Sequence, residues 1–450
     1  MKKIFIIFSV LTIMALSTIT ASAISGDGTE ESPFLITTEE EMVLVADFPD
    51  CYFELGNDIE LTKEWIASDF SGNFNGNNHT ITVSRFGTAT RGGLFASMSG
   101  TVENLKVITD NSTFEKFTYF GIIAGECSGN IKNCNTSGKI SLVEYQNYVY
   151  YGGIVGYCSN NGNIENCSSN IYLDATVSYD QHWSSIGGST VTSGKLYYGG
   201  ICGQLLGKIN QCASINDLNL SLSSGHYNAV VYYGGIAGYI RVSSASIQNS
   251  YSINSIENSS GDGYFTYSGI AYNEYSGTIT NCYATSESPS NADEICGIAS
   301  KGTMTNCFYD KDTSGQTSTS YGTPKSTLAM KMKATYKNWD FNTIWGIDGN
   351  VNNGYPYLLF ELDSMEDSVA FDCGTQKANV FVKEAGTYTV IFADYDGIIF
   401  NVADIQPLTL KQGYNSIPTT LTLTDGDKVF LWKDLKTLVP ICEAANVSSK

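Results

Sequence analysis

The sequence predicts an all-β chain: a parallel β-solenoid with short capping helices, followed by a small β-sandwich domain. Three observations predict it. A two-part unit recurs seven times, opening on an aromatic pair, glycine and an apolar residue, and closing about a dozen residues later on Gly-x-Ile-x-Asn-Cys. Each half alternates apolar and polar residues over four to six positions between glycines, the period-two signature of a short strand. From about Asp367 the unit disappears, and other alternating runs follow at sandwich spacing. A single unit of short strands cannot bury its apolar face, so the units must stack along one axis.

Taken in chain order, Lys2 and Lys3, the apolar run from Ile4 to Leu16 and Ala21-Ser22-Ala23 form the pattern of a secretory signal over residues 1–23. The solenoid with its caps is expected over 24–360. Thr38-Glu39-Glu40-Glu41 is a capping-box pattern, and it starts a short helix with Met42, Val45 and Ala46 on one face. That helix would cover the open strand edges at one end of the rod. Alternating strands follow at 51–55 and 57–61.

The full repeats begin at Tyr150-Tyr151-Gly152-Gly153-Ile154, Tyr197-Tyr198-Gly199-Gly200-Ile201 and Tyr232-Tyr233-Gly234-Gly235-Ile236. Weaker copies place the same glycine at Gly93, Gly121, Gly269 and Gly297. The unequal spacing implies loops of different length, the longest around Ser178 to Ser193 with His182 and Trp183. At about 4.8 Å per strand, seven coils give a rod on the order of 34 Å. Thr327 to Lys337, with Leu328, Met330 and Met332, is expected to form the opposite cap. A separate β-sandwich is expected over 367–450, with strands at 379–382, 387–392, 408–410, 421–423 and 428–432.

Composition narrows the function classes. The formal charge is −20, and loss of Lys2 and Lys3 makes a secreted form more acidic still, which argues against nucleic acid and anionic membrane as partners. Apart from the signal, no stretch reaches the roughly 20 apolar residues needed to span a bilayer. Arginine occurs only at Arg85, Arg91 and Arg241. His79, His182 and His226 lack metal-ligand spacing, and there is no Gly-x-Ser-x-Gly elbow, phosphate loop or His-Glu-x-x-His motif. No catalytic, metal or cofactor site is therefore assigned. A carbohydrate-active enzyme of the solenoid type, a lyase or hydrolase, is the rival reading; it would require paired carboxylates or acidic calcium ligands with a base, drawn together from distant loops.

The Gly-Gly-Ile-Val-Gly halves joined to Gly-x-Ile-x-Asn-Cys halves resemble the GLUG repeats of bacterial secreted and surface proteins. Gly28-Thr29-Glu30-Glu31-Ser32-Pro33-Phe34 is similar to the segment that opens such proteins. Cys307-Phe308-Tyr309-Asp310-Lys311-Asp312 and Gly354-Tyr355-Pro356-Tyr357-Leu358 are similar to the segments that close them. The resemblance covers most of residues 26 to 360, with departures at Ser250 and Gly269. It implies a right-handed parallel β-helix on a secreted or cell-surface, adhesin-like protein, with no catalytic residues to carry over. Residues 368 to 450 resemble small Ig-like or fibronectin-like modules.

Candidate residues follow from the stacking. Cys134, Cys167, Cys212, Cys282 and Cys307 occupy one repeat position, where Leu105 and Ser250 also occur. Packing tolerates that exchange and metal ligation does not, so a core ladder is favoured over disulfides or a metal. Asn133, Asn166, Asn281 and Asn306, with Asn104 and Asn249, are expected to satisfy turn backbone at the coil corners. Cys373 and Cys442 are disulfide candidates in the last domain. Strand neighbours face opposite sides, so one tyrosine column packs inward and its neighbour is displayed. Tyr151, Tyr198 and Tyr233, with Tyr157 and Tyr239, are taken as the displayed candidates for a glycan or protein partner, against strand propensity alone.

Overall fold

The computed structural model describes residues 24–447, apart from 88–89, 115–116, 145–147, 178–194, 223–228, 261–262, 288, 290–291, 350, 365, 396–398, 434–435 and 437–439. The expected signal at 1–23 and the insertion bearing His182 and Trp183 lie outside the described residues.

The chain from Phe34 to Lys325 winds into three parallel sheets, as the repeat predicts. One face has seven strands, from Arg91–Gly92 through Tyr148–Gly152, Lys195–Gly199 and Ala229–Gly234 to Glu294–Cys296. A second face, also seven-stranded, runs from Ser68–Phe70 to Ala271–Asn273. The third holds the Ile-x-Asn-Cys halves. Equivalent residues stand in register: Tyr150 pairs Tyr197 and Tyr197 pairs Tyr232, while Ile131 pairs Ile164 and Ile164 pairs Ile209. The repeat glycine is required by this stacking. A Cβ on Gly153, Gly200, Gly235 or Gly269 would collide with the carbonyl oxygen of the next coil's glycine.

Inside the rod, a continuous apolar core carries the isoleucines, the cysteines and one column of tyrosines. The five expected cysteines are buried thiols, none in a disulfide, and each donates to the carbonyl two residues earlier: Cys134 to Lys132 and Cys167 to Glu165 at 3.1 Å, Cys282 to Thr280 at 3.3 Å. Ser250 makes the same bond, to Gln248 at 2.7 Å, which explains why serine can stand in the ladder. The asparagines turn the corner in the left-handed region: Asn104, Asn133, Asn166, Asn249, Asn281 and Asn306 have φ between 46° and 53°. Each carboxamide donates to the asparagine of the preceding coil, as Asn133 to Asn104 at 2.9 Å and Asn306 to Asn281 at 3.1 Å. Gln211 interrupts the row. Asn249 therefore bonds Asn210 at 3.0 Å, and the Asn166 carboxamide oxygen is left with no partner among the described residues.

The ends differ from expectation in detail. At the N-terminal end, Thr38 and Glu41 form the reciprocal capping box, with 3.3 Å from the Glu41 N–H to the Thr38 hydroxyl and 3.1 Å from the Thr38 N–H to the Glu41 carboxylate. Met42 and Val45 are buried, but Ala46 is exposed and Leu44 packs in its place. At the other end, residues 327–337 do not form one helix. Thr327–Met330 is a single turn capped by Ser326, and Lys333–Thr335 is a 3-10 turn; Leu328 and Met332 are exposed, and only Met330 points inward. The last strand, Thr323–Lys325, is what covers the final coil. The aromatic residues beyond it fold back along the rod's flank. Tyr336, Trp339, Trp345 and Tyr355 pack over the outward-facing Tyr251 and Tyr283 of the third sheet.

From Ser368 the strands become antiparallel, in one three-stranded and one four-stranded sheet that share an apolar core including Val380, Val390, Phe392 and Val429. Strands at Lys377–Val382, Gly386–Tyr395, Phe400–Leu410 and Lys428–Trp432 contain the expected ones, whereas 421–423 is not a strand. Ser368–Asp372 and Gly413–Pro418 are additional strands, too short and too irregular in their apolar alternation to stand out in the sequence. Cys373 and Cys442 pack against this same core without a disulfide between them.

Candidate functional site

The site is built from the alternation of a strand. In Tyr148–Gly152, Tyr151 turns into the rod and Tyr150 turns out. Tyr151, Tyr198 and Tyr233 are all 0% exposed, stacked ring on ring with centroids 5.3 Å apart and continued by Phe120 and Tyr267. This corrects their expected display: they are core residues. Phase alone could not choose between the two columns, because both are tyrosine. The displayed column is the neighbouring one, Tyr119, Tyr150, Tyr197 and Tyr232, with centroids 5.3, 4.8 and 4.9 Å apart.

Tyr157 and Tyr239 do belong to the outer surface, in a second row on the adjoining sheet. The row reads Glu126, Tyr157, Gln204, Tyr239 in register, with Tyr272 next to it. The two rows meet: Tyr119 lies 5.2 Å from Tyr157, Tyr197 lies 4.8 Å from Tyr239, and Tyr232 lies 4.3 Å from Tyr272. Gly125, Gly156, Gly203 and Gly238 line the seam between them, where a Cβ would strike the backbone of the facing sheet. The result is a groove along the rod, floored by glycine and largely filled by the tyrosine rings themselves: Tyr197 is 6% and Tyr239 9% exposed, whereas Tyr119, Tyr150, Tyr157 and Tyr232 are partly exposed. Tyr148, Tyr264 and Tyr275 stand exposed around it.

Stacking determines what the groove offers. Within the first column the ring faces lie against each other, so ring edges and hydroxyls are what reach solvent. Burial pushes the Tyr150 phenol up to about 12, and it raises those of Tyr119, Tyr157, Tyr197, Tyr232, Tyr239 and Tyr272 as well. All therefore keep their protons at neutral pH and remain hydrogen-bond donors. Two of the carboxylates nearby are engaged: Glu126 pairs with Arg91 at 2.9 Å, and Glu274 accepts from the Tyr239 hydroxyl at 2.6 Å. Gln204 is 1% exposed, and neither its amide nitrogen nor its oxygen has a partner among the described residues.

Among the described residues no group of three or more His, Cys, Asp or Glu could hold a metal, and no helix is long and apolar enough to cross a membrane. A shallow recess on the first coils, lined by Glu30, Glu54, Asn75 and Glu103, lies apart from the groove and contains none of its tyrosines. Sequence reading missed the column at Tyr150, although Arg91 and Glu126 flanking the repeats, as charges that must stay out of the core, mark its side.

No family model matches the chain. A provisionally named Gly-rich membrane protein of Evansella cellulosilytica is 35% identical over 139 residues, which are 28% of this chain and 16% of that one. The chain thus spans well under a fifth of that relative's length. Two solved structures are similar: a provisionally assigned immunoglobulin A1 protease from Bacteroides ovatus, with TM-score 0.46 and 19% identity over 74% of this chain and 94% of that chain, and an IgA1 protease, with TM-score 0.41 and 15% identity over 68% and 24%. Likeness of that depth carries no inference about activity.

Proposed function

We propose that this chain is a non-catalytic, extracellular or cell-surface scaffold of the GLUG-repeat kind, a right-handed β-helix that binds an extended glycan along its tyrosine groove in an adhesin-like role. In this reading the C-terminal module is an Ig-like β-sandwich, suited to its two antiparallel sheets on one core. Secretion by the 1–23 signal and the membrane assignment in the relative's name fit the same location.

One observation carries the reading. Among the described residues two outward-facing aromatic surfaces stand apart. Tyr251 and Tyr283 are sealed under the closing segment, whereas Tyr119, Tyr150, Tyr157 and Tyr232 of the longer tyrosine groove stay partly exposed. A partly exposed aromatic surface of this extent supports a recognition role. A sugar polymer suits it better than a peptide does. The coil backbones already pair with one another, so a peptide cannot add as a strand, whereas rows of hydroxyls match a sugar's own. Of the carboxylates along the groove, Glu126 and Glu274 already have partners, and Glu294, in line with Tyr232 through Thr266, accepts from the Cys296 thiol at 3.8 Å, which leaves a single carboxylate where a glycosidase needs a pair.

The test is a glycan array probed with the full chain and with a variant carrying Tyr150→Phe, Tyr197→Phe and Tyr232→Phe, which keeps the stack and removes its donors. Binding by the parent and a loss of tenfold or more in the variant are expected. Equal binding by both, or none by the parent, would overturn the proposal.

A further inference from the structure

Resting on that reading, we infer that the groove selects an acidic sugar, whose carboxylate is held by Arg241 and Gln204 between the tyrosine rows. The chain is strongly acidic overall and has only three arginines, and Arg91 is already paired with Glu126. Arg241 is exposed and follows Tyr239 by two residues, and its side chain has no carboxylate partner or hydrogen bond among the described residues. Its backbone N–H donates to the Leu205 carbonyl at 3.4 Å, which sets Arg241 beside the coil that carries Gln204.

Next to that Leu205 in the chain stands Gln204. It stands in the outer row between Tyr157 and Tyr239, where the repeat elsewhere places serine, glutamate or tyrosine. A buried amide with neither donor nor acceptor satisfied is costly, and a protein keeps one where a partner will fill it. The two unsatisfied groups are complementary to one ligand. A guanidinium takes a carboxylate in two parallel bonds, and the carboxamide adds a third donor and an acceptor for an adjacent hydroxyl. The neutral phenols of Tyr119 and Tyr150 supply further donors without adding charge. A uronate or sialate residue has this combination; a neutral sugar would leave the guanidinium unmatched.

The experiment uses the full chain on an array of uronate- and sialate-bearing glycans, each beside its carboxyl-reduced twin. At least one acidic glycan is expected to bind on the order of tenfold to a hundredfold tighter than its twin, the range of a charge-assisted hydrogen bond. Arg241→Gln should bring the two to equal affinity, and Arg241→Lys should retain part of the difference. Because Arg241 is exposed, neither change should disturb the fold, as circular dichroism would confirm. Equal binding of twins by the parent, or a preference that survives Arg241→Gln, overturns the acidic-sugar inference. If twins bind equally but the Tyr→Phe variant releases both, the glycan groove stands without its acidic preference; if nothing binds, both fall.

Discussion

Tyr150 and Tyr151 are chain neighbours in one strand, repeated at 197–198 and 232–233, yet the two columns do opposite work. The inner column is fully buried and lies within the core; the outer one lines the groove, with Tyr197 buried and Tyr119, Tyr150 and Tyr232 partly exposed. The same residue type serves both because a phenol offers a large apolar ring to packing and a hydroxyl to solvent. The inner hydroxyls of Tyr151, Tyr198 and Tyr233 have no hydrogen-bond partner among the described residues. The inner column therefore stabilises by its ring area alone, whereas the outer column retains its polar function. A third place sharpens the contrast: Tyr251 and Tyr283 face outward but are covered by the closing segment, so they are buried with their hydroxyls bonded, Tyr251 to Glu361 at 2.7 Å and Tyr283 to the Pro356 carbonyl at 2.5 Å.

Truncation separates the columns most sharply. Tyr198→Ala removes a fully enclosed ring between Tyr151 and Tyr233, and should cost about 3–5 kcal/mol of unfolding free energy. Tyr232→Ala, on the partly exposed side of the next coil, should cost less, about 1–2 kcal/mol, and be felt in ligand binding as well. Denaturant unfolding of the two variants decides it. Comparable losses would mean that the outer column is structural and the open groove incidental.

The covered column gives the next largest effect. Glu361 is partly buried where it accepts the Tyr251 hydroxyl and, at 2.7 Å, the Leu358 N–H, and loss of solvent around its carboxyl pushes it from the ordinary 4.5 to about 7. The folded chain then holds a proton that the unfolded chain has released, so stability falls as pH rises from about 4.5 to 7, and the deficit is full above that. The pKa difference corresponds to about 3 kcal/mol. Glu361→Gln should flatten this slope and make the protein more stable than the parent at pH 8. A parent curve flat between pH 4.5 and 7 would mean that the closing segment does not exclude water from Glu361.

How much of this was legible follows the same division between periodic and unique contacts. Stacking was readable because Gly153, Gly200 and Gly235 each meet the next coil's glycine, and a constraint repeated in every coil leaves a repeated residue. The cysteine and asparagine ladders were readable for that reason. What each tyrosine faces was not, since Tyr150 and Tyr151 differ only in phase. Glu361 on Tyr251, 110 residues apart, was also beyond reach, because a contact made once leaves no period in the sequence. The interior polar row was missed as well: Asn216 donates to the Gly200 carbonyl at 2.9 Å and Asn254 to that of Gly235 at 3.2 Å, from a position that follows the conspicuous cysteine without sharing its regularity.

The smallest expected difference tests whether the corner residue acts through conformation or through its side chain. Asn133 has φ of 52°, donates to Asn104 and accepts from Asn166 at 3.2 Å. Asn133→Ala loses both ladder bonds and forces a β-carbon into the left-handed region, a strain of about 1–2 kcal/mol in addition to about 1 kcal/mol for each exposed-side bond. Asn133→Gly loses the same bonds without the strain. If conformation dominates, glycine should restore most of the stability that alanine removes, and thermal unfolding should rank parent, glycine, alanine at unequal steps. Should glycine prove as damaging as alanine, the carboxamide ladder itself is what holds adjacent coils in register, and the break at Gln211 then becomes the weakest joint along the rod, in the same coil as the groove's unsatisfied Gln204.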